Sequence, residues 1–552
     1  MIIRTDRKFI RDDNDFRFRF YKGISPRFKT SLFLNFVSFV DDKLSGFSRA
    51  SSTELLSGVK MLVFSNFGLS FLGGYKLDYQ MKQKDEGWIY KISSDTTDLF
   101  MSDYRLRANI DHQEDFIKSR KNITSSLNLT IWRKFTADVE SKMEILLKRI
   151  KRDFYFYADS NLQKTYGINL NIEGRDEKAI AGLVVFDYPL INNLTLNLNF
   201  ALNRRNIAKM MRYKTPSLYD SDIEEFTLNM STGLSYSTGK FKTKFEMGYS
   251  ERNEIHKPQK HELTTESVFL RIKQSEEQKN NKSLRRTVNG EVSLDLFDWL
   301  TVGGMFYVSL FRYDTPSNLN DDDRDELLQI LRVFLKLDIS REIQMEIPLD
   351  LNGQHLVYIF ATRSVNNNWN RIIKLSPSII FENEHLRNRA SFSVLANYTV
   401  YDFEPITPMV KSYVFRQFYF NDSISFPVFD RLSFNGNLQM ILSESGRLKW
   451  REFKARPVIF INNSEYSFKL NYTPNKNARF SVGYRFFNER RYRFVELNKV
   501  PDTRIIASGP TSEIEIASEK FKLNFEGWME RLRFGGKVND IPNLNLNLTI
   551  NL

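Results

Sequence analysis

Pro542-Asn543-Leu544-Asn545-Leu546-Asn547-Leu548-Thr549-Ile550-Asn551-Leu552 is the final stretch of the chain. Leu544, Leu546, Leu548, Ile550 and Leu552 fall on every second position, and Asn or Thr fills each gap. Consecutive side chains of a strand point to opposite faces, so this stretch predicts a strand with one wholly apolar and one wholly polar face. The alternation runs to the last residue and leaves no room for a disordered tail. Two settings accommodate such a strand: an antiparallel sheet with one wetted face, and a sheet whose outer face meets lipid. The rest of the chain decides between them.

The same period recurs upstream. Leu194, Leu196, Leu198, Phe200 and Leu202 oppose Thr195, Asn197, Asn199, Ala201 and Asn203. An alternation this long exceeds the usual soluble strand of roughly 5–6 residues and matches the ~9–11 needed to cross a bilayer at a tilt. Phe226, Leu228, Met230, Leu234 and Tyr236 lead into the tight turn Ser237-Thr238-Gly239-Lys240, and Phe241, Phe245, Met247 and Tyr249 return, as in a hairpin. Tyr466, Phe468, Leu470 and Tyr472 pair in the same way with Ala478, Phe480, Val482, Tyr484 and Phe486 across the Pro474 turn. Near the start, Phe16, Phe18 and Phe20 alternate with Arg17 and Arg19, and Tyr104, Leu106, Ala108 and Ile110 alternate with Arg105, Arg107 and Asn109.

Short turns are expected at 297–299, 340–342, 429–431 and 473–477, and longer polar connections near 204–222, 253–262, 274–286, 313–325, 362–371, 402–410 and 488–503. Short turns at one end of a sheet and long loops at the other are the asymmetry of membrane barrels. Phe186-Asp187-Tyr188-Pro189 reads as a break, and Met143 to Arg152 admits a short helix. Between Lys240 and Asp298 the strand count is one too many or too few, which predicts a misread strand or one very long loop. At roughly 20–22 residues per strand and connection, the chain holds about 24–28 strands. It divides into a polar arm over 1–14 and one barrel over 15–552, with no linker, low-complexity tract or repeat period.

Composition agrees. The 552 residues are 41% hydrophobic and carry 47 Phe and 24 Tyr, with a mean hydropathy of −0.42. No run approaches the ~18 apolar residues of a membrane helix. Barrels escape hydropathy plots because only alternate residues meet lipid, and they place aromatics on that face and at its two borders. The net charge of +13 is scattered among nearly as many acids, without a basic helix or a nucleic-acid motif, so no nucleic-acid partner is expected. The chain has no Cys, hence neither disulfides nor thiolate metal sites. No apolar signal-peptide core follows Met1-Ile2-Ile3-Arg4-Thr5-Asp6, which for an exported barrel implies a truncated start.

The closing strand resembles the C-terminal strand of Gram-negative bacterial outer-membrane β-barrels, which the assembly machinery reads as a signal. Leu544, Leu546, Leu548, Ile550 and Leu552 would form that signal, although the family usually ends in Phe or Trp and this chain ends in Leu552. The resemblance implies a large, all-β, antiparallel up-and-down transmembrane barrel in the bacterial outer membrane, with lipid and the barrel-assembly machinery as partners. Its implied function is a channel or transport barrel that moves solute or polymer through a polar lumen. The alternatives are the barrel of a secretion or surface-assembly complex, or the barrel of a nutrient receptor whose upstream plug is absent. A plug or partner protein would then fill the lumen. An outer-membrane hydrolase is the weakest alternative.

Site residues follow from the polar faces. Arg17, Arg19, Lys29, Arg105, Arg107, Lys242, Lys244, Lys469, Arg479 and Arg485 are expected to face the lumen, against the acids Glu246, Glu291, Asp295 and Glu465. Ten bases against four acids predict a net basic, anion-attracting wall. No catalytic, cofactor or metal site is expected. Asp111-His112 is the nearest to an acid–His dyad, but neighbours on a strand point apart. His256 and His261 read as exposed residues of a polar connection, His355 and His385 stand alone, and Asp321-Asp322-Asp323-Arg324-Asp325-Glu326 lacks calcium-loop spacing and reads as a solvated loop. No nucleophile elbow or zinc-protease helix motif occurs.

Overall fold

The computed structural model describes residues 12–40, 49–64, 66–96, 98–135, 139–216, 218–262, 264–407, 411–496, 498–518 and 521–550. Of the arm expected over 1–14, residues 1–11 lie outside that set, and a strand begins at Asp12. Alternation organises nearly everything that follows. Among the described residues, twenty-seven strands join one sheet through antiparallel ladders, nearly all between sequence neighbours. Two of them continue an interrupted predecessor. Gln83–Thr96 and Leu99–Met101 share the partner Tyr104–Ile117, and Asn368–Leu375 and Ser378–Glu382 share Ile343–Tyr358 and Arg387–Tyr401. The wall therefore has 25 positions, and the first strand, Asp12–Ser25, lies against the last, Lys537–Ile550, and runs the same way. The sheet closes into a barrel, as the sequence predicts.

The two ends differ. One carries short turns at 192–193, 238–240, 298–299, 339–342, 430–431 and 476–477. The other carries the long connections at 158–169, 212–220, 259–280, 315–323, 359–367 and 402–412. Two of these hold helices, Ser160–Tyr166 and Glu266–Glu277. The first is capped at its start by the Asp159 carboxylate, which accepts from the Leu162 amide, and at its end by Gly167 at φ 65°, a left-handed geometry that glycine adopts freely.

Several sequence expectations need correction. Met143 to Arg152 belongs to the strand Glu140–Tyr157, paired on both sides. Phe186–Pro189 does not break its strand: Leu170–Ile191 runs through it, and the register shifts only between Pro189 and Ile191, beside the turn. Pro189 is tolerated there because its missing N–H falls where pairing is ending. The connection expected over 204–222 shrinks to 212–220, because the strand Leu194–Met211 continues past its apolar half. Similarly, strands run on to Pro258 and Val495 and resume at Asn498. The uncertain count between Lys240 and Asp298 resolves into two strands, Phe241–Pro258 and Asn281–Phe297, with one long loop carrying the helix Glu266–Glu277. In each case the strand outlives the alternation, because above the apolar band both faces are charged.

Candidate functional site: the concave face of the barrel

Continuous registers carry one parity around the wall. Starting from Leu198 and Phe200, the ladders connect Phe186, Met230, Phe245, Val292, Phe306, Leu331, Leu351, Ile373, Val394, Phe418, Leu442, Phe468, Val482 and Leu546 to one face. Many of these apolar residues are exposed. The opposite face holds the polar alternates.

Curvature shows which face is inside. Arg120, on Arg120–Lys134, bonds Asp78 on Phe67–Gln80 and reaches Asp85 on Gln83–Thr96 at 2.5 Å. Arg120 and Asp78 stand three strand spacings apart, roughly 14 Å on a flat sheet. Lys76 reaches Glu54 at 2.8 Å and Asp115 at 2.7 Å, the second across an intervening strand. Side chains converge like this only on a concave surface, so the polar face is the interior. Beneath these ions, on the same face, Leu56, Leu72 and Ile89 are buried with Phe33 against them. A second interior cluster joins Ile505, Ala507 and Leu532 near the last strands.

All ten basic residues named from the sequence stand on this polar face. They are not one group. Arg17 pairs with Asp15 at 2.7 Å, Arg107 with Asp98 at 2.7 Å, and Arg105 with Asp98 and Glu140. Lys244 pairs with Glu246 at 3.1 Å, Arg485 with Glu465 at 3.2 Å, and Lys469 and Arg479 share Glu513 at 3.0 and 3.4 Å. Arg19, Lys29 and Lys242 make no ion pair among the described residues. Lys242 and Lys244 line an interior recess of about 520 Å³ with Glu291, Met305, Arg332 and Glu346.

Sequence reasoning passed over several interior charges: Glu54, Lys76, Asp78, Asp85, Asp115, Arg120, Glu225 and Glu513. Their strands carry inward Leu56, Leu72 and Ile89, which blur the alternation, or continue above the apolar band, as Glu225 does between Arg205 and Arg252. Extending the parity of each strand past its apolar half would have found Glu225.

Of the closing-strand residues, Leu544 and Leu546 are exposed on the outward face at 68% and 50%. Leu548 and Ile550 lie in the last ladder, and Leu552 lies outside the described residues. Asp111 and His112 do point apart: Asp111 pairs inward with Lys91 at 3.1 Å, while His112 on the outer face contacts Ser125 at 2.7 Å and Tyr90 at 3.1 Å. His256 is not an exposed loop residue. It ends a strand, nearly buried, between Glu254 at 2.7 Å and Glu276 at 3.4 Å. His261 lies in the following connection. His355 stacks on Trp369 and contacts Asp402 at 2.9 Å, and His385 sits in a short turn. In the acidic run, Arg363 holds Asp321 and Asp322 at 3.0 Å each, Asp323 accepts from the Thr315 amide at 2.7 Å, and Arg324 holds Glu326 at 2.9 Å. Its carboxylates are spent on the rim itself.

A closed antiparallel barrel with an apolar outer band and a polar interior is the class that fold and site define. No protein-family model and no curated protein matches the chain. Solved structures similar to it include the FrpB iron transporter from Neisseria meningitidis, at 10% identity over 95% of this chain and 81% of that one, with a TM-score of 0.47. The ferric-catecholate import receptor Fiu from K12 E. coli is similar at 7% identity over 84% and 79%, with a TM-score of 0.46. BauA, the ferric preacinetobactin receptor from Acinetobacter baumannii, is similar at 9% identity over 96% and 88%, with a TM-score of 0.45.

Proposed function

We propose that this chain is the membrane-crossing barrel of a bacterial outer-membrane transport protein, and that solute or polymer moves along its concave polar face. One observation carries the reading: a closed sheet keeps an apolar band on its outer face and polar side chains on its inner face, in continuous register around the wall. Ladders between consecutive strands, with the first strand lying against the last, keep the backbone groups within the sheet, which is the condition for crossing lipid with strands. The inner charges mostly neutralise one another, which favours a conduit with a modest anion preference centred on Arg19, Lys29 and the recess around Lys242. Barrels of ~22 strands are normally plugged, and a wider one needs loops, a further domain or a partner in its lumen. The test is fractionation followed by planar-bilayer recording. The protein is expected in outer membranes, extracted only by detergent, with a conductance that prefers anions and loses that preference in Lys242→Gln. A folded, detergent-free soluble monomer would overturn the reading, and a cation-selective pore would overturn the charge assignment.

A further inference from the structure

Towards the end with long connections, three guanidinium groups stand on the outer face of consecutive strands. Arg490, on Ala478–Val495, lies directly opposite Arg504, on Asn498–Ala517. Arg533, on Phe521–Phe534, lies opposite Ile506 and is therefore the diagonal neighbour of Arg504. All three are exposed, and none makes an ion pair among the described residues. The carboxylates around them are engaged elsewhere. Asp540 holds Arg531 at 2.9 Å, Glu444 pairs with Arg416 at 3.9 Å, and Asp502 takes Arg493 at 2.5 Å. Glu489 is on the inner face with Arg491 at 3.2 Å. Glu496 sits in the turn beyond, roughly 20 Å further along the strand from Arg490. Like charges directly opposite in a ladder repel and destabilise it. Among the described residues no carboxylate relieves that repulsion here. A fourth cation lies beside the three: the Lys499 ammonium stands over the outward rings of Phe460 and Tyr492, 3.2 and 4.4 Å from their centroids. One or two outward positions nearer the membrane come Ile506, Phe486 and Met529, where the apolar band begins.

We infer that Arg490, Arg504 and Arg533 hold the phosphate-bearing headgroup of an anionic lipid in the leaflet beside the long connections. The inference rests on the membrane reading above. A phosphate set between opposed guanidinium groups turns their repulsion into attraction, because each planar fork offers two parallel N–H donors to phosphate oxygens. Arg504 is already steadied for this: its Nε donates to Asn488 Oδ1 at 3.3 Å, which leaves its terminal nitrogens for the ligand. The acyl chains then run over Ile506, Phe486 and Met529 on the lipid-facing side. Charge and apolar wall together match an amphiphile rather than a free ion.

The full chain is purified in detergent and placed in bilayers of phosphatidylcholine alone or mixed with phosphatidylglycerol. Retained lipid is counted by native mass spectrometry, and thermal midpoints are compared. Phosphatidylglycerol should be retained preferentially and raise the midpoint. Arg490→Gln with Arg504→Gln should weaken its retention roughly thirtyfold, the effect of two charges at an anionic surface. A control pair, Lys178→Gln with Arg204→Gln, removes two outward cations from another part of the wall and should leave retention unchanged. Equal retention by wild type and the Arg490 and Arg504 variant overturns the proposal. So does an equal loss in the control pair, which would mark diffuse attraction without a site. An equal rise in midpoint from inorganic phosphate in pure phosphatidylcholine would mark a free-anion site and also overturn it. Should the variant fail to insert, the wild-type lipid comparison decides alone: no preference for phosphatidylglycerol is a refutation. Failure of the wild type to enter either bilayer would sink the membrane reading first and this one with it.

Discussion

The wall is built in two heights. From Asp12 to Lys134 the uninterrupted strands are 13 to 16 residues long, and tight turns at 26–27, 81–82 and 118–119 close both ends. From Glu140 to Val495 strands reach 22 residues and the long connections crowd one end. The low sector stops where the apolar band stops, and its interior is filled by the Arg120 and Lys76 ion networks over an apolar cluster. The tall sector rises past the band, and its extra length carries part-exposed ion pairs such as Lys282–Glu251 and Arg312–Asp325, helices and rim loops. Strong curvature packs side chains together in the first, whereas height gives the second a rim. Buried interactions should therefore decide the stability of the low sector, and exposed ones should matter little in the tall sector.

The largest expected effect follows from that contrast. Arg120→Ala would leave Asp85, whose side chain is 5% exposed, and Asp78 as uncompensated interior carboxylates. Breaking a buried pair in this way costs roughly 3–5 kcal/mol. In the tall sector, Arg485→Ala removes a part-exposed pair with Glu465 and should cost about 0–1 kcal/mol. Urea unfolding from lipid vesicles compares the two, and equal costs would erase the distinction between the sectors.

Next comes the contrast of faces within the tall wall. Leu198→Arg places a charge in the middle of the apolar band and should cost about 2–4 kcal/mol. Asn197→Arg puts the same charge one residue away on the inner face, where Asp187 lies 2.6 Å from the Asn197 amide and supplies a partner. Its cost in the same unfolding measurement should be small. Equal penalties would mean that the two faces are wrongly assigned.

Curvature also sets the third effect. A Cβ on Gly74, in the low sector, would sit 1.8 Å from the Leu55 carbonyl oxygen, whereas Gly182 in the tall sector has nothing within 4 Å. Gly74→Ala should then destabilise by roughly 1–3 kcal/mol through overpacking. Gly182→Ala should stabilise by about 0.5–1 kcal/mol, since alanine loses less chain entropy in a strand. Thermal midpoints in one lipid suffice, and a harmless Gly74→Ala would show that the low wall is looser than described.

The barrel was legible wherever one face of a strand is apolar and the other polar. Leu194 to Leu202, with Leu544 and Leu546, spell out the outer face, and the ten basic residues followed as the alternates on such strands. Legibility failed where that solvent contrast ends. Arg204 to Met211 and Arg252 to Pro258 remain in ladders, yet charged and polar side chains stand on both faces there, so nothing enforces alternation and the sequence reads as loop. It failed again in the low sector, where inward Leu56, Leu72 and Ile89 satisfy curvature rather than a polar lumen. Charge pairing was hidden for a different reason. Arg120 and Asp78, or Lys469 and Glu513, are 42 and 44 residues apart in the chain and meet only once the register is fixed.

The smallest effect belongs to the tall sector's rim and is local. Glu276 lies in the last turn of the helix Glu266–Glu277 with its side chain 4% exposed, facing Lys279, His256 and the Tyr219 hydroxyl, which donates to it at 2.7 Å. Burial pushes the Glu276 carboxyl up, but the hydrogen bonds from Lys279 and Tyr219 and the nearby positive charge outweigh it and hold it below the ordinary range. Burial, and then the bond to Glu276, push the Tyr219 hydroxyl well above its usual value. The signs follow directly. A lowered carboxyl adds stability above its unfolded value and loses it as pH falls through the folded one, whereas a raised phenol adds stability that is lost as pH rises beyond the ordinary tyrosine range. Between those limits the helix should stay docked, with protection from hydrogen exchange over 266–277 flat through neutral pH and falling in acid. Glu276→Gln should remove the acid limb at a cost of roughly 1 kcal/mol in local protection, with the global unfolding midpoint unmoved. Protection that varies smoothly across neutral pH, or a variant that shifts the global midpoint as Arg120→Ala does, would tie this rim helix to the body of the wall and break the separation between the two sectors.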